Sequence, residues 1–160
     1  MKTGTQWTIA SSTFSEVKGV WEQSLWPGRK SDIEPTNPLV YLGGYDPDYL
    51  QRQVQFFSAL SSGGDLLGVI SLAESPSPEI HSFYRLRGIF VDPSYRGSGI
   101  AKALVQRCFD VVKASSEAAI WSLPRETALP FYLRMGFEVT SPMIDKEFEF
   151  GPNCYVIKRF

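Results

Sequence analysis

The sequence predicts a single domain over residues 1–160, of the mixed α/β or α+β class, with helices packed on a central sheet. Residues 54–60 and 66–72 are two apolar runs, and the Gly-rich loop between them is typical of a β-hairpin. From Ile100 onward, apolar side chains recur at helical spacing. Strand-like and helix-like runs then alternate, and a chain of 160 residues is long enough to bury one core.

The N-terminal part is predicted to form a strand, a helix and a loop. Residues 6–10 alternate polar and apolar side chains, which indicates a short strand. A helix is predicted over residues 14–25, capped by Ser12 or Thr13 and ended by a following proline. Residues 30–49 are rich in Pro, Gly, Asp and Asn, so we expect mostly loop, with one helical turn as the alternative.

The rest of the chain alternates between strands and helices. Gly88 interrupts one strand pattern and is a site for a bulge, and Gly136 is placed to end a helix in a left-handed conformation. The predicted elements are a loop at 73–80, a strand at 83–91, a turn at 92–95, a helix from 100, a strand at 118–122, a helix at 127–135, and antiparallel strands at 137–140 and 154–158.

Composition and charge argue against several classes of protein. Hydrophobic residues make up 43% of the chain and charged residues 21%, as in ordinary soluble proteins. The formal net charge of −1 leaves no basic excess to attract nucleic acid. No apolar run is long enough for a signal peptide or a membrane span, so we expect a cytoplasmic protein with no membrane partner.

Cysteine and histidine are too few and too dispersed to predict a metal or redox site. Cys108 and Cys154 form no CxxC pair, and we expect both to be reduced and buried. The single histidine, His81, cannot by itself hold a metal ion. We therefore expect no metal in this protein.

A Gly-rich loop joins the strand at 83–91 to the amphipathic helix. Glycines let a backbone approach a phosphate closely, and the first amides of a helix have no partner within it. The loop therefore predicts a phosphate site, with a tight turn as the alternative interpretation. It lacks the Lys of a Walker A loop, and Lys102 stands where a dinucleotide-binding loop has its third glycine. The loop consists of Arg96, Gly97, Ser98, Gly99, Ile100 and Ala101.

Two segments resemble motifs of the GNAT acetyltransferases. Residues 91–104 are similar to motif A, because Arg96, Gly99 and Ala101 fill its defined positions. Residues 128–137 are similar to the motif B helix, A-x-x-F-Y-x-x-x-G-F. The separation of the two segments also suits this family. Shorter segments are similar to small acetyltransferases, some from tailed phages, which leaves a phage-type or a bacterial member open.

The resemblance implies a GNAT fold and acetyl-CoA as co-substrate. This fold has a mixed central sheet of about six to seven strands, helices on both faces and two splayed parallel strands. Those strands would be the ones at 83–91 and 118–122. The pyrophosphate would lie on the loop from Arg96 to Ala101, and the pantetheine arm would pair with the strand edge at Phe90 and Val91.

The resemblance also implies roles in catalysis. Tyr132 matches a motif B tyrosine that lies beside the CoA sulfur and acts as a general acid, whereas packing in the core is the alternative. Many members have a Glu on the strand before motif A. In this chain that position falls near Arg85, so the Glu is missing. Glu74 and His81 are the substitutes for that base, and a chain of water molecules would serve equally well.

The acceptor side is less defined by the sequence. Arg85 and Arg87 alternate with Leu86, so they project to one face, where they could hold a carboxylate or simply be solvated. Trp26 and Trp121 are further candidates for lining the acceptor cleft. Many relatives have an Asn after the strand at 118–122, and Leu123 or Pro124 stands there instead.

Three functions remain open at this point. The first is an N-acetyltransferase that acts on a primary amine of a small molecule or amino acid. The second is a protein or peptide N-acetyltransferase, for which an open groove rather than a closed pocket is expected. The third is a non-catalytic acyl-CoA-binding module. The sequence does not specify the acceptor, and it leaves a homodimer open.

Overall fold

The computed structural model describes residues 6–25, 40–41, 44–45, 54–74, 84–145 and 152–160. Its helices are α1 (Phe14–Val20), α2 (Ile100–Ala114) and α3 (Leu129–Arg134). Its strands are β1 (Trp7–Ser12), β2 (Val40–Tyr41), β3 (Gly44–Tyr45), β4 (Val54–Ser61), β5 (Leu66–Glu74), β6 (Tyr84–Val91), β7 (Ala119–Ser122), β8 (Glu138–Val139) and β9 (Val156–Arg159). One sheet has seven strands in the order β1-β4-β5-β6-β7-β9-β8, as the GNAT resemblance implied, and β2 pairs with β3.

The sheet is mixed because β6 and β7 run parallel while its other neighbours are antiparallel. A parallel pair needs a crossover connection, which α2 supplies. The two strands pair only where residues 84–86 face residues 120–122. Beyond that point β6 continues to Val91 while β7 ends, so the strands separate as expected.

Helix α1 begins with a capping box. The backbone N–H of Thr13 donates to the Glu16 carboxylate at 2.9 Å, and the Thr13 hydroxyl accepts from the Glu16 N–H at 3.4 Å. These bonds satisfy two amide groups at the start of the helix. They confirm the predicted helix start and select Thr13 as the cap.

The apolar face of α1 packs on the sheet as predicted, with Val17 and Trp21 against Phe56 and Val69. The sequence predicts one helix over 14–25, but in the structure α1 ends at Val20 and Trp21–Leu25 form a π-helical turn. The Trp21 ring is packed tightly against Gly88, so tertiary contact as well as local propensity acts on this turn.

Helices cover both faces of the sheet. Phe56 and Phe57 are successive residues of β4, so they point to opposite faces. Phe56 packs with α1, whereas Phe57 belongs to the larger cluster that contains Leu104 and Val105 of α2. That cluster also includes residues of α3, so α2 and α3 share one core.

Two segments predicted as loops contain strand. Strand β5 extends through Glu74, although the sequence predicts a loop from Ala73, because these residues pair with Tyr84 and Arg85 of β6. Within the predicted loop over 30–49, β2 and β3 form a short antiparallel ladder. Pairing with a neighbouring strand outweighs local composition at such positions.

The C-terminal elements agree with their predictions. Gly136 follows α3 with a φ of 91°, the left-handed conformation expected there. Strands β8 and β9 pair antiparallel. Cys108 and Cys154 are free and buried, as expected for reduced thiols. Within the described residues, none of the helices has the length and apolar character needed to cross a bilayer.

Candidate active site

The two parallel strands begin to separate next to a bulge in β6. The register between β5 and β6 shifts between Val69 and Ser71, which gives β6 one additional residue at 88–89. Gly88 has a φ of 68°, which confirms the predicted bulge. A Cβ atom on Gly88 would lie 2.2 Å from Cζ2 of Trp21, so the indole covers the bulge closely.

A cleft of about 420 Å³ lies where β6 and β7 separate. Trp21 and Leu25 line it on the α1 side, and Tyr132 of α3 lines it as well. Residues 85–90 of β6 contribute one wall, and residues 122–125 after β7 contribute the other. The cleft therefore lies at the place where the two parallel strands separate.

The Tyr132 hydroxyl lies at the fork between the strands. The Tyr132 oxygen is 3.4 Å from Oγ of Ser122. The Ser122 hydroxyl in turn donates to the carbonyl of Leu86 at 2.6 Å. Leu86 and Ser122 form the last paired position of β6 and β7. The Tyr132 hydroxyl is thus positioned where the backbone of β6 loses its partner.

Burial raises the pKa of the Tyr132 hydroxyl, and the contact with Ser122 partly offsets this effect. The phenol therefore stays protonated well above neutral pH and remains available as a hydrogen-bond donor. A raised pKa also makes it a weaker acid, so donating a hydrogen bond is favoured over complete proton transfer.

The Gly-rich loop has the backbone geometry of an anion site. Gly97 and Gly99 have φ values of 82° and 88°, and Gly99 is the residue that caps α2. The first turn of α2 contains no acidic side chain that would compete for its amides. Arg96 turns back so that its Nε donates to the carbonyl of Val91 at 3.1 Å. The loop is therefore held against the end of β6.

Two arginines of β6 project to the α1 face, as their alternation predicted. The guanidinium of Arg85 lies 4.9 Å from the ring centroid of Trp121, and that of Arg87 lies 5.3 Å from the ring of Trp21. Arg96 and Arg125 also line the cleft, and none of its described lining residues is acidic. The charged side chains of the lining, within the part of the chain that the structure describes, are therefore all arginines.

The other predicted site residues lie in different places. Trp121 is fully buried and packs behind Arg85 without lining the cleft, and Glu74 lies at the end of β5, also away from the lining. Phe90 lines the cleft, and Val91 is buried beside it. His81 and Trp26 lie outside the described residues.

Among the further lining residues that the sequence did not indicate as site residues are Ser122, Arg125 and Asn153. Nδ2 of Asn153 donates to the carbonyl of Leu123, a residue 30 positions earlier, and this bond holds the Asn153 side chain beside the cleft. No local pattern marks such a residue, because its place depends on the pairing of distant segments. Among the described residues, no cluster of His, Cys, Asp and Glu could hold a metal ion.

Comparison with known proteins agrees with this architecture. Residues 52–139 match the model of the acetyltransferase (GNAT) domain family. A GNAT-family acetyltransferase from Staphylococcus aureus Mu50 has a similar structure, with a TM-score of 0.64 at 18% identity over 96% of this chain and 99% of that one. The PaiA N-acetyltransferase from Thermoplasma acidophilum, solved with coenzyme A, has a TM-score of 0.53 at 18% identity over 67% of this chain and 61% of that one.

A sequence relative is the glucosamine 6-phosphate N-acetyltransferase of Trypanosoma brucei brucei, which is 35% identical over 52 residues. The match spans 32% of this chain and 35% of that protein, about a third of each. The family match covers more than half of the chain, and it includes the splayed strands, the Gly-rich loop and α3. The chain therefore belongs to the GNAT acetyltransferase family.

Proposed function

We propose that the chain transfers an acetyl group from acetyl-CoA to the primary amine of a small molecule or amino acid. The observation on which this proposal depends is the cleft at the fork of β6 and β7, which Tyr132 lines with its hydroxyl next to Ser122. Its volume of about 420 Å³ is in the range of small-molecule sites. The glucosamine phosphate substrate of the trypanosome relative is consistent with a small amine.

Acetyl-CoA would bind along the edge of β6 and over the Gly-rich loop. The amides at the start of α2 and the left-handed residues Gly97 and Gly99 suit the pyrophosphate. Beyond Leu86, β6 has no neighbour on the β7 side within the described residues, so its edge can pair with the pantetheine amides. We propose that Phe90 and Val91 flank this arm, which leads the thioester towards Tyr132.

In the proposed reaction the neutral amine attacks the thioester carbonyl directly. A C–N bond forms, the C–S bond breaks, and the amine nitrogen loses a proton to a base or to water. The thiolate of CoA leaves with the electron pair of the C–S bond. Tyr132 would stabilise that thiolate by donating a hydrogen bond, because burial keeps the phenol protonated. The base is left to Glu74, His81 or a water chain.

Replacing Tyr132 with phenylalanine should lower kcat about 100-fold, since it removes the donor while keeping the ring. The affinity for CoA should change little, because the hydroxyl acts on the leaving sulfur rather than on the phosphates. A single-turnover measurement of acetyl transfer checks this and removes any contribution of product release. Because the phenol stays protonated, we also expect Tyr132 to produce no loss of activity between pH 7 and about pH 10.

A matched control is Tyr84→Phe, which removes a hydroxyl from a buried tyrosine of the same core that does not line the cleft. We expect its acetyl-transfer rate to stay within about twofold of the wild type, because no catalytic group is removed. If Tyr132→Phe transfers the acetyl group as fast as Tyr84→Phe, then Tyr132 is only a packing residue.

The acceptor should have an anionic group near its amine. Arg85 and Arg87 both line the cleft on the α1 face. A guanidinium forms strong, directional bonds with a carboxylate or phosphate. The phosphate named in the trypanosome relative's substrate is of this chemical class.

For this reason we expect Arg87→Ala to reduce the preference for charged acceptors about tenfold. The measurement is the ratio of kcat/KM for glycine to kcat/KM for glycinamide. The difference in amine basicity between the two acceptors cancels when the ratio of the variant is compared with that of the wild type. Arg107→Ala is the control, because Arg107 also lies over an aromatic ring, that of Phe57, but outside the cleft. An unchanged ratio in Arg87→Ala would contradict the proposed anion contact.

The function itself is tested by following thiol release from acetyl-CoA with a panel of amines. Both cysteines of the protein are buried, so a thiol reagent should report the CoA product with little background. The proposal expects release with a small primary amine. Release with peptides alone would identify a peptide acetyltransferase, and CoA binding without release by any amine would identify a non-catalytic acyl-CoA-binding module.

A further inference from the structure

We propose that Oδ1 of Asn153 accepts a hydrogen bond from the amine of the acceptor, which makes Asn153 a specificity-determining residue. The inference rests on the proposed function, because it assumes that the acceptor is an amine. Asn153 lines the cleft, and its exposure is only 7%. Nothing in the sequence pattern assigned it a role.

The orientation of the Asn153 side chain follows from a single hydrogen bond. Nδ2 donates to the carbonyl of Leu123 at 2.9 Å. The reverse orientation would place two carbonyl oxygens against each other, so the donor side of the amide must face Leu123. Oδ1 is therefore on the other side, and it has no hydrogen-bond partner among the described residues.

A buried amide oxygen without a partner is uncommon, because burial removes its bonds to water. In a cleft that awaits a substrate, such an oxygen is satisfied by the ligand. Since an amide oxygen only accepts, its ligand must present an N–H or O–H group. The amine of the proposed acceptor meets this requirement, while an anionic group does not.

The backbone of Asn153 is held firmly, so its oxygen is preorganised. Its N–H donates to the carbonyl of Ile144 at 3.0 Å, and its carbonyl accepts from the Ile144 N–H at 2.7 Å. It also forms an isolated bridge with Arg125. A side chain fixed in this way loses little conformational entropy when it binds a ligand.

Two N–H sources are available in the cleft, the acceptor amine and the amides of the pantetheine arm. The surroundings of Asn153 favour the acceptor. Nη2 of its bridge partner Arg125 donates to the carbonyl of Leu25, at the end of the segment that follows α1. The Gly-rich loop instead begins α2, which packs on the opposite face of the sheet. Asn153 is thus linked to the α1 side, where Arg85 and Arg87 project.

Two substitutions at Asn153 separate the acceptor oxygen from the structural bond. Asn153→Leu and Asn153→Asp both lose the Nδ2 donor to Leu123, but only Asp keeps an oxygen that can accept from the amine. Ser141→Ala is the control, because it removes a bond to the backbone N–H of Tyr155 in the same C-terminal segment without touching the cleft. Circular dichroism and thermal melting verify that each variant folds, and Asn153→Ala replaces the Leu variant if that one does not.

The test is calorimetric binding of glycine and of glucosamine 6-phosphate to the CoA-saturated protein, together with binding of CoA itself. We expect Asn153→Leu to bind the better of the two amines roughly 10- to 100-fold more weakly than the wild type. Asn153→Asp should bind the amine more tightly than Asn153→Leu, because it keeps an oxygen that can accept from the amine. The affinity for CoA should be the same in all variants.

Each other outcome contradicts the inference in a distinguishable way. Weaker CoA binding in Asn153→Leu would assign Oδ1 to the pantetheine arm. Equal amine binding in all variants, including Ser141→Ala, would leave Asn153 a structural residue. A wild-type protein that binds CoA but neither amine would contradict the proposed function for these acceptors, and the inference would fall with it.

Discussion

Replacing Gly99 with valine should weaken CoA binding about 1000-fold, as loss of two charge-assisted hydrogen bonds would do. Gly99 caps α2 with a φ of 88°, at the place proposed for the pyrophosphate. No atom lies within 4 Å of the position that a Cβ on Gly99 would take, so the valine side chain would occupy open space at the start of α2. Because that space is where a phosphate would approach, calorimetry with CoA should detect the loss directly.

The control for this change is Gly64→Val in the hairpin loop. Gly64 has a φ of 87° and likewise no atom within 4 Å of an added Cβ, so the backbone strain is matched, and Gly64 does not line the cleft. Each variant should lose roughly 1–2 kcal/mol of stability for a left-handed non-glycine residue. Equal CoA affinity in the two variants would show that the loop is only a turn.

Replacing Gly88 with alanine should destabilise the protein by about 3–4 kcal/mol, the sum of left-handed strain and overpacking. The added Cβ would lie 2.2 Å from Cζ2 and 2.8 Å from Cη2 of Trp21. The indole is a rigid, buried ring and cannot withdraw without disturbing the packing of α1. In a domain of this size the melting temperature should fall by roughly 6–15 °C.

A double-mutant cycle separates the clash from the backbone strain. In a Trp21→Leu background the smaller side chain leaves room for the methyl group, so Gly88→Ala should cost only about 1–2 kcal/mol there. Gly63→Ala is the control, because its Cβ meets only Oγ of Ser61 at an ordinary 3.8 Å. Equal losses from Gly88→Ala in both backgrounds would mean that Trp21 is not the obstacle.

The features that the sequence predicted well are those determined by nearby residues. The N-cap of α1, predicted at Ser12 or Thr13, is Thr13, and Gly136 ends α3 because a left-handed residue is needed there. The Gly-rich loop and the amphipathic pattern of α2 are likewise local. Their physical causes are backbone conformation and helical periodicity, both of which act over a few residues.

The predicted roles of the site residues depend on more than local pattern. Tyr132 lines the cleft together with Arg85 and Arg87, so the structure brings these three predicted residues together. Trp121 instead lies behind Arg85, because the strand period alone indicates the face on which a residue lies and not the depth at which it is buried. Their proposed chemical roles remain predictions for the experiments above.

The sequence by itself determined the fold class, the family resemblance and the position of the Gly-rich loop, because each follows from residues close together in the chain. Only the tertiary structure decided which distant residues meet in the cleft. Trp21 covers Gly88, the Ser122 hydroxyl donates to the last paired carbonyl of β6, and Asn153, bonded to the carbonyl of Leu123, lines the cleft. Such contacts depend on strand register and on packing across the sheet, which no periodicity within one segment encodes.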